Sequence, residues 1–348
     1  MGKILIFDST LRDGSHAIKH QLEISDIQRY CRAIDNVGLY TVIVGHGNGL
    51  GASSLQVGLS KFSDDKMLKT ARKELKKTKL GVLLIPGFGT IKDNIKPAID
   101  IGVDVFCVAI HCTEANVTKQ HIQYIRNEGR EVYGILMMSH MVEPDKLLIE
   151  ALKMQEYGAM GVIIMDSAGS MLPNDVADRI RLLVSNLKIK VGFHAHNNLS
   201  LAMSNSLMAL ENGATIIDGT LRGFGAGAGN CQLEVLAGIL NFKLKIETQL
   251  DLYKLMDVSD EIVSKIMTKP QEISSISLIS GLSGVFSSFA TQVKIAAERF
   301  KVDPRDIFVE LGKRKILAGQ EDFIVDIAMN LAQQKVRGEI NYDIESLL

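Results

Sequence analysis

Eight short apolar runs, each followed by an amphipathic stretch, constrain this chain more than any other feature. They occupy residues 3–7, 41–44, 81–85, 103–110, 132–138, 161–165, 190–193 and 215–217. Their starts lie about 25 to 40 residues apart, the spacing of successive strand–helix units. Eight units within about 240 residues predict an α/β fold of the (β/α)8, or TIM, barrel type. An open doubly wound sheet competes, but it usually carries fewer strands. Apolar residues make up 46 % of the 348, ample for a core of that size. Helix signals fall in the intervals. Ser25 with Gln28 reads as a capping box, Ile27, Tyr30, Cys31 and Ile34 share a face, and Gly38 stops that helix. Pro144 suits a first helical turn and Gly158 its stop, whereas Pro97 sits awkwardly inside a predicted helix. From residue 245 the alternation gives way to a helical pattern, as at 292–300 and 324–334. The expected division is therefore a barrel over 1–244 and a helical extension over 245–348.

Net charge is −1, so no bulk field draws the chain to nucleic acid or an anionic membrane. No apolar run approaches the roughly 18 residues of a membrane span. Cys31, Cys107, Cys112 and Cys231 form no CxxC pair and read as reduced, mostly buried thiols. The first residues enter a strand without the basic and apolar regions of a leader. A cytoplasmic protein is the expectation.

Chemistry-bearing residues gather where the apolar runs end. Phe7-Asp8-Ser9-Thr10-Leu11-Arg12-Asp13-Gly14-Ser15-His16 follows the first run directly. A charged cluster so close to a buried strand costs free energy unless it is paired or binds something, although a plain Arg–Asp ion pair would satisfy it. Of eight histidines, His46, His111, His140, His194 and His196 stand at carboxyl ends of predicted strands, with His16 close behind the first. In a barrel those ends share one rim, where active sites lie. His20 and His121 fall elsewhere and read as structural or exposed. In His194-Ala195-His196 the strand period of two places both imidazoles on one side. With one carboxylate they make a 2-His-1-carboxylate metal set. Asp13 supplies that carboxylate only if the closed barrel brings the first strand beside the last two. The residues alone do not choose among Mn2+, Co2+, Fe2+, Zn2+ and Mg2+.

Three stretches carry a resemblance: Thr10-Leu11-Arg12-Asp13-Gly14, His194-Ala195-His196-Asn197, and the glycine-rich run from Gly223 to Asn230. Together they resemble the metal-dependent barrel lyases and synthases that include hydroxymethylglutaryl-CoA lyase and isopropylmalate synthase. Finer matches resemble the 4-hydroxy-2-oxovalerate aldolases. These are Leu11 to Gln21, Leu84-Ile85-Pro86-Gly87-Phe88-Gly89-Thr90, His111-Cys112-Thr113-Glu114-Ala115 and Met137-Met138-Ser139-His140-Met141. The resemblance implies a divalent-metal lyase that cleaves a 4-hydroxy-2-oxoacid to pyruvate and a short aldehyde. It implies a metal at Asp13, His194 and His196, with Mn2+ the expected ion and Co2+, Mg2+ or Zn2+ as alternatives. Arg12 would stabilise the developing negative charge and His16 would be the base. Substrate contacts fall to Arg12, Asp13, Ser167, His194 and Phe286, and Asn230 would bond loop backbone. Phe286 is a departure, because the family carries tyrosine there; the ring is kept and the hydroxyl lost. The helical region would contact an acylating acetaldehyde dehydrogenase. Two other readings stay open: an acyl-CoA-dependent condensing enzyme of the same superfamily, and a non-catalytic barrel that scaffolds a dehydrogenase.

Overall fold

The computed structural model describes residues 3–317 and 320–337. The ends of the expected two-part division, residues 1–2 and 338–348, lie outside them. All eight apolar runs form strands: β1 (Leu5–Asp8), β2 (Thr41–Ile43), β3 (Lys79–Leu84), β4 (Val105–His111), β5 (Glu131–Met137), β6 (Gly161–Asp166), β7 (Lys190–Ala195) and β8 (Ile216–Gly219). Every pairing is parallel, and β1 pairs with both β2 and β8, so the sheet closes into a (β/α)8 barrel. Closure leaves no free edge, and alternating residues face opposite sides.

That alternation divides the core. Leu5, Phe7, Ile43, Ile163, Met165 and Ile216 fill the barrel interior. Ile6, Val42, Val162, Phe193 and Ile217 face the helices. At the amino end of the strands a polar cluster closes the barrel: the Tyr40 hydroxyl donates to Glu131 Oε2 at 2.6 Å and accepts from Lys79 Nζ at 2.8 Å. The opposite end is left for the site.

The crossover helices are α1 (Ile24–Ile34), α2 (Asp64–Glu74), α3 (Lys96–Ile101), α4 (Lys119–Asn127), α5 (Pro144–Glu156), α6 (Pro173–Asn186), α7 (Ala202–Glu211) and α8 (Leu233–Gly238). The expected face of α1 is buried through Ile27, Tyr30, Cys31 and Ile34. Truncating Ile27 to Ala there would cost about 2–5 kcal/mol. The Ser25–Gln28 capping box does not form. The helix starts two residues earlier, with Glu23 at the N-cap and no side-chain cap, so Ser25 is already inside the first turn. Pro97 proves well placed, because a π-helical turn (Ile91–Ile95) precedes α3 and puts the proline in its first turn, where no N–H is needed.

Beyond the barrel, α9 (Leu252–Val258) still packs Leu255 and Val258 into the shell around the strands, and that shell continues to Ile266. A second core starts at Ile276. It is built by α10 (Ser275–Leu282), α11 (Ala290–Phe300), α12 (Pro304–Lys313) and α13 (Asp322–Arg337) around Phe289, Val293, Phe308 and Ile324. Among the described residues, no helix is long and apolar enough to cross a membrane.

Candidate active site

The turn after β1 is built from its carboxylates outward. Asp8 faces the helices and is fully buried. It accepts from the Tyr30 hydroxyl at 2.5 Å and from the Thr10 N–H at 2.8 Å. Burial pushes its carboxyl up to about 6 despite these bonds. Thr10 Oγ1 in turn accepts from the Leu221 N–H, in the loop after β8, at 2.9 Å. The chain's first loop is thereby tied to its last barrel loop, which sets Arg12 and Asp13, 4 % and 2 % exposed, at the barrel mouth.

On β7 the period of two turns Phe193 and Ala195 toward the helices and leaves His194 and His196 on the other side. Their rings lie 5.1 Å apart. His194 stands in register with Asp218 of β8, and its Nδ1 donates to Asp218 Oδ2 at 2.8 Å. That bond leaves His194 Nε2 as the nitrogen open to a ligand. Among the described residues, His194 Nε2 and His196 Nδ1 are buried without a hydrogen-bond partner. Each such atom costs about 1–3 kcal/mol if nothing ever meets it. Burial lowers His196 to about 4 against the opposing pull of Asp13, so its ring is neutral at physiological pH and able to ligate.

Asp13 completes the group. Its Oδ1 accepts from Arg12 at 2.7 Å, and its Oδ2 accepts from Asn230 Nδ2 at 2.6 Å and the Ala226 N–H at 3.1 Å. Burial by itself would raise this carboxyl, but Arg12 and the nearby His196 hold it well below the usual carboxylate range. Ligand atoms of Asp13, His194 and His196 all lie within 4.8 Å of one another; among the described residues this is the one cluster of His, Cys, Asp and Glu so arranged. Two buried carboxylates, Asp13 and Asp218, face a single guanidinium, since Arg12 also lies 3.9 Å from Asp218. Unmet nitrogen lone pairs and surplus negative charge suit a divalent cation.

The remaining expected residues stand around this cluster. His16 lies on a short helical turn, Gly14–Ala17, and burial lowers it from its ordinary value. It lines a narrow pocket with Arg12, Asp13, Ser167, His196 and Phe286, and this pocket adjoins a cavity of about 930 Å3 beneath the helical region. Ser167 Oγ accepts from the Met138 N–H at 3.0 Å, so its hydroxyl supports the backbone while the residue lines the pocket. Phe286 lies where both spaces meet, on the segment leading out of α10. His111 lines the larger cavity. His140 reaches away from it to Gly284 O at 3.0 Å, fastening the barrel to the helical region.

Three residues add to the sequence reading. Asn230 bonds the Phe224 carbonyl at 3.4 Å as expected, but its tighter bond is to Asp13. His20, read as structural or exposed, takes the structural alternative: it is 6 % exposed and stacked on His46 at 3.6 Å. Asp218 was missed. Its signal was an acid ending the eighth apolar run, in Ile216-Ile217-Asp218-Gly219, at the same rim as the histidines.

Comparison with known proteins adds family-level findings. The HMGL-like family profile matches residues 3–262, and a DmpG-like communication domain matches residues 271–333. The chain is 52 % identical to a 4-hydroxy-2-oxovalerate aldolase of Pectobacterium atrosepticum, covering 95 % of this chain and 96 % of that one. It is also 52 % identical to the enzyme of that name from Spirochaeta aurantia, over 94 % and 96 % of the two chains. Among solved structures, the N-terminal domain of a Bacteroides vulgatus protein superposes with a TM-score of 0.71 at 25 % identity, covering 82 % of this chain and 94 % of that one. The carboxyl transferase domain of Rhizobium etli pyruvate carboxylase, at 15 % identity and a TM-score of 0.80 over 96 % of this chain and 60 % of that one, shares the fold.

Proposed function

The chain belongs to the HMGL-like family, among the 4-hydroxy-2-oxovalerate aldolases, and from that membership we propose that it is a carbon–carbon lyase cleaving 4-hydroxy-2-oxoacids, such as 4-hydroxy-2-oxopentanoate, to pyruvate and a short aldehyde. The observation that supports this most is the convergence of Asp13, His194 and His196 beside Arg12, in a pocket that also holds His16.

The reaction is a retro-aldol cleavage. His16, whose ring burial keeps neutral, accepts the proton of the C4 hydroxyl. The C3–C4 bond then breaks, the aldehyde carbonyl forms, and negative charge collects on the C2 oxygen as a pyruvate enolate, which becomes pyruvate on taking at C3 the proton that balances the one lost from the hydroxyl. Arg12 meets that charge with a guanidinium already fixed by Asp13 and by Ser9 Oγ at 3.2 Å, so little reorganisation is needed as charge develops. A divalent ion, proposed to be Mn2+, would be held by Asp13, His194 and His196 and would supply Lewis-acid chemistry at this end of the pocket. Ser167 and Phe286 bound the substrate space, and Phe286 does so without a hydroxyl to offer. The wall of helices beneath which the larger cavity lies includes the segment matched by the communication domain. We assign that region to docking an acylating acetaldehyde dehydrogenase.

The decisive assay is pyruvate release from 4-hydroxy-2-oxopentanoate with added Mn2+. Asp13→Ala and His194→Ala should each lower it by at least about a hundredfold while circular dichroism remains that of the wild type. If the wild type releases no pyruvate from any 4-hydroxy-2-oxoacid with any of the candidate metals, the proposal is wrong.

A further inference from the structure

Asn198 follows His196 by two residues, in the loop after β7, and is fully buried. It stands outside the lining of both the narrow pocket and the larger cavity, yet its side-chain amide joins three segments around them. Oδ1 accepts from the Ala228 N–H at 2.9 Å, in the loop after β8. Nδ2 donates to the Ala168 carbonyl at 2.8 Å, just past β6, and to Ser287 Oγ at 2.6 Å, in the helical region. A backbone N–H only donates and a carbonyl only accepts, so the two backbone bonds allow the amide one orientation. Its remaining N–H is thereby committed to Ser287.

The three segments also close on Asn198 sterically. A Cβ on Gly169 would lie 2.8 Å from the Asn198 backbone N, one on Gly227 2.5 Å from Asn198 Oδ1, and one on Gly281 3.0 Å from the Asn198 Cβ. These glycines belong to the loop after β6, the loop after β8 and α10, the same three parts of the molecule.

What the amide holds together is the wall of the site. Ser167 precedes Ala168, Ala226 lies two residues before Ala228, and Phe286 precedes Ser287; Ser167, Ala226, Phe286 and Ser287 line the narrow pocket with Arg12 and Asp13. Phe286 is suspended between two fastenings to the barrel. On one side His140 Nε2 donates to the Gly284 carbonyl at 3.0 Å, and on the other Asn198 holds Ser287. The bond from Ser280 Oγ to the Val285 carbonyl, 2.8 Å, comes from α10 and adds nothing from the barrel side.

We infer that Asn198 is a positioning residue: by bonding Ser287 it sets where the Phe286–Ser287 segment stands over the substrate space, and so how large an aldehyde the site favours. The tether rests on geometry alone, and its effect on aldehyde choice rests on the aldolase reading above. Asn198 takes no part in bond cleavage.

The test is a double-mutant cycle in the full chain, with Asn198→Ala, Ser287→Ala and the pair. Aldol addition of pyruvate is followed with acetaldehyde and with butanal in the presence of Mn2+. A freed segment opens the way into the larger cavity, so kcat/KM for butanal relative to acetaldehyde should rise at least about fivefold in each single variant. The double variant should match the larger single effect within about twofold, because both substitutions break the same bond. Partial unfolding scales both aldehydes alike and leaves this ratio unmoved. A second readout needs no turnover. The Val285 and Phe289 amides, bonded to the Ser280 and Phe286 carbonyls, should exchange hydrogen about tenfold faster in each single variant, with protection of β7 unchanged. An unmoved ratio or unmoved exchange in both single variants would overturn the inference. So would ratio changes that multiply in the double variant, which mark Ser287 acting through its own contact with substrate. Should Asn198→Ala not fold, exchange in Ser287→Ala decides, since a lost substrate contact leaves the substrate-free segment as it was. A wild type inactive in both directions would defeat the aldolase reading instead, and the exchange comparison would still judge the tether.

Discussion

His194 shows how one side chain is given a single job. A ring with two nitrogens can present either to a ligand, and the choice is made by what holds the other. Asp218 holds Nδ1 at 2.8 Å and is itself held by the Ser9 hydroxyl at 2.7 Å. Ser9 also receives Arg12, so the residue proposed to meet the developing charge and the residue that holds a proposed metal ligand share one small network. Asp218→Asn keeps the shape and removes the charge. It should weaken Mn2+ binding about ten- to a hundredfold with the fold retained, read by calorimetric titration of the metal-free protein. Unchanged affinity would show that His194 is oriented by packing alone.

At the scale of the element, the loop after β8 does as much as any strand. It supplies the Leu221 and Ala226 N–H groups and Asn230 to the first loop, and Phe224 packs directly on Gly14, where a Cβ would lie 2.2 Å from its ring. Gly225 is the tightest point. A Cβ there would lie 1.9 Å from Asn230 Nδ2 and 2.2 Å from Asp13 Oδ2. Backbone strain is not the obstacle, because its φ is not positive; space is. Gly225→Ala should therefore push Asp13 and Asn230 apart, cutting activity by about a hundredfold or more while the barrel stays folded. Activity near wild type would mean that the loop yields more readily than its contacts suggest.

For the whole molecule, the site depends on barrel closure and on histidines kept neutral in the interior. Burial lowers His46 and His196 to about 4 and His20 to about 2, against an ordinary value near 6.5. The unfolded chain takes up these protons first as pH falls. Stability of the metal-free protein should be full above about pH 6.5 and decline as the pH drops through 6.5 toward 4. The slope should be on the order of 1.4 kcal/mol per pH unit for each histidine. Urea midpoints at stepped pH measure it, and His20→Asn should reduce the slope by one proton. Saturating Mn2+ should oppose the decline, since a ligand at a hundred times its Kd adds about 2.7 kcal/mol; His194→Ala should lose that protection. A flat profile between pH 7 and 4.5 would contradict the burial of these rings.

The barrel was legible in the sequence because its cause is local: each strand is an apolar run, each helix a periodic face, and eight repeats leave one simple way to close. His194 and His196 were legible for the same reason, since a period of two is a property of the strand itself. The metal set with Asp13 was readable from the strand period on condition that the barrel closed, and the roles of Arg12 and His16 came with the family resemblance. The bond from His194 to Asp218, the bond from Asn230 to Asp13, and the His20–His46 stack were not visible. Each joins residues that lie 24, 217 and 26 positions apart, and no local pattern encodes such a meeting. The chain's own order determined which elements form and which way their side chains alternate. Only tertiary structure decided which polar groups would be stripped of water together, because that depends on how the first and last strands meet and on what then closes over them.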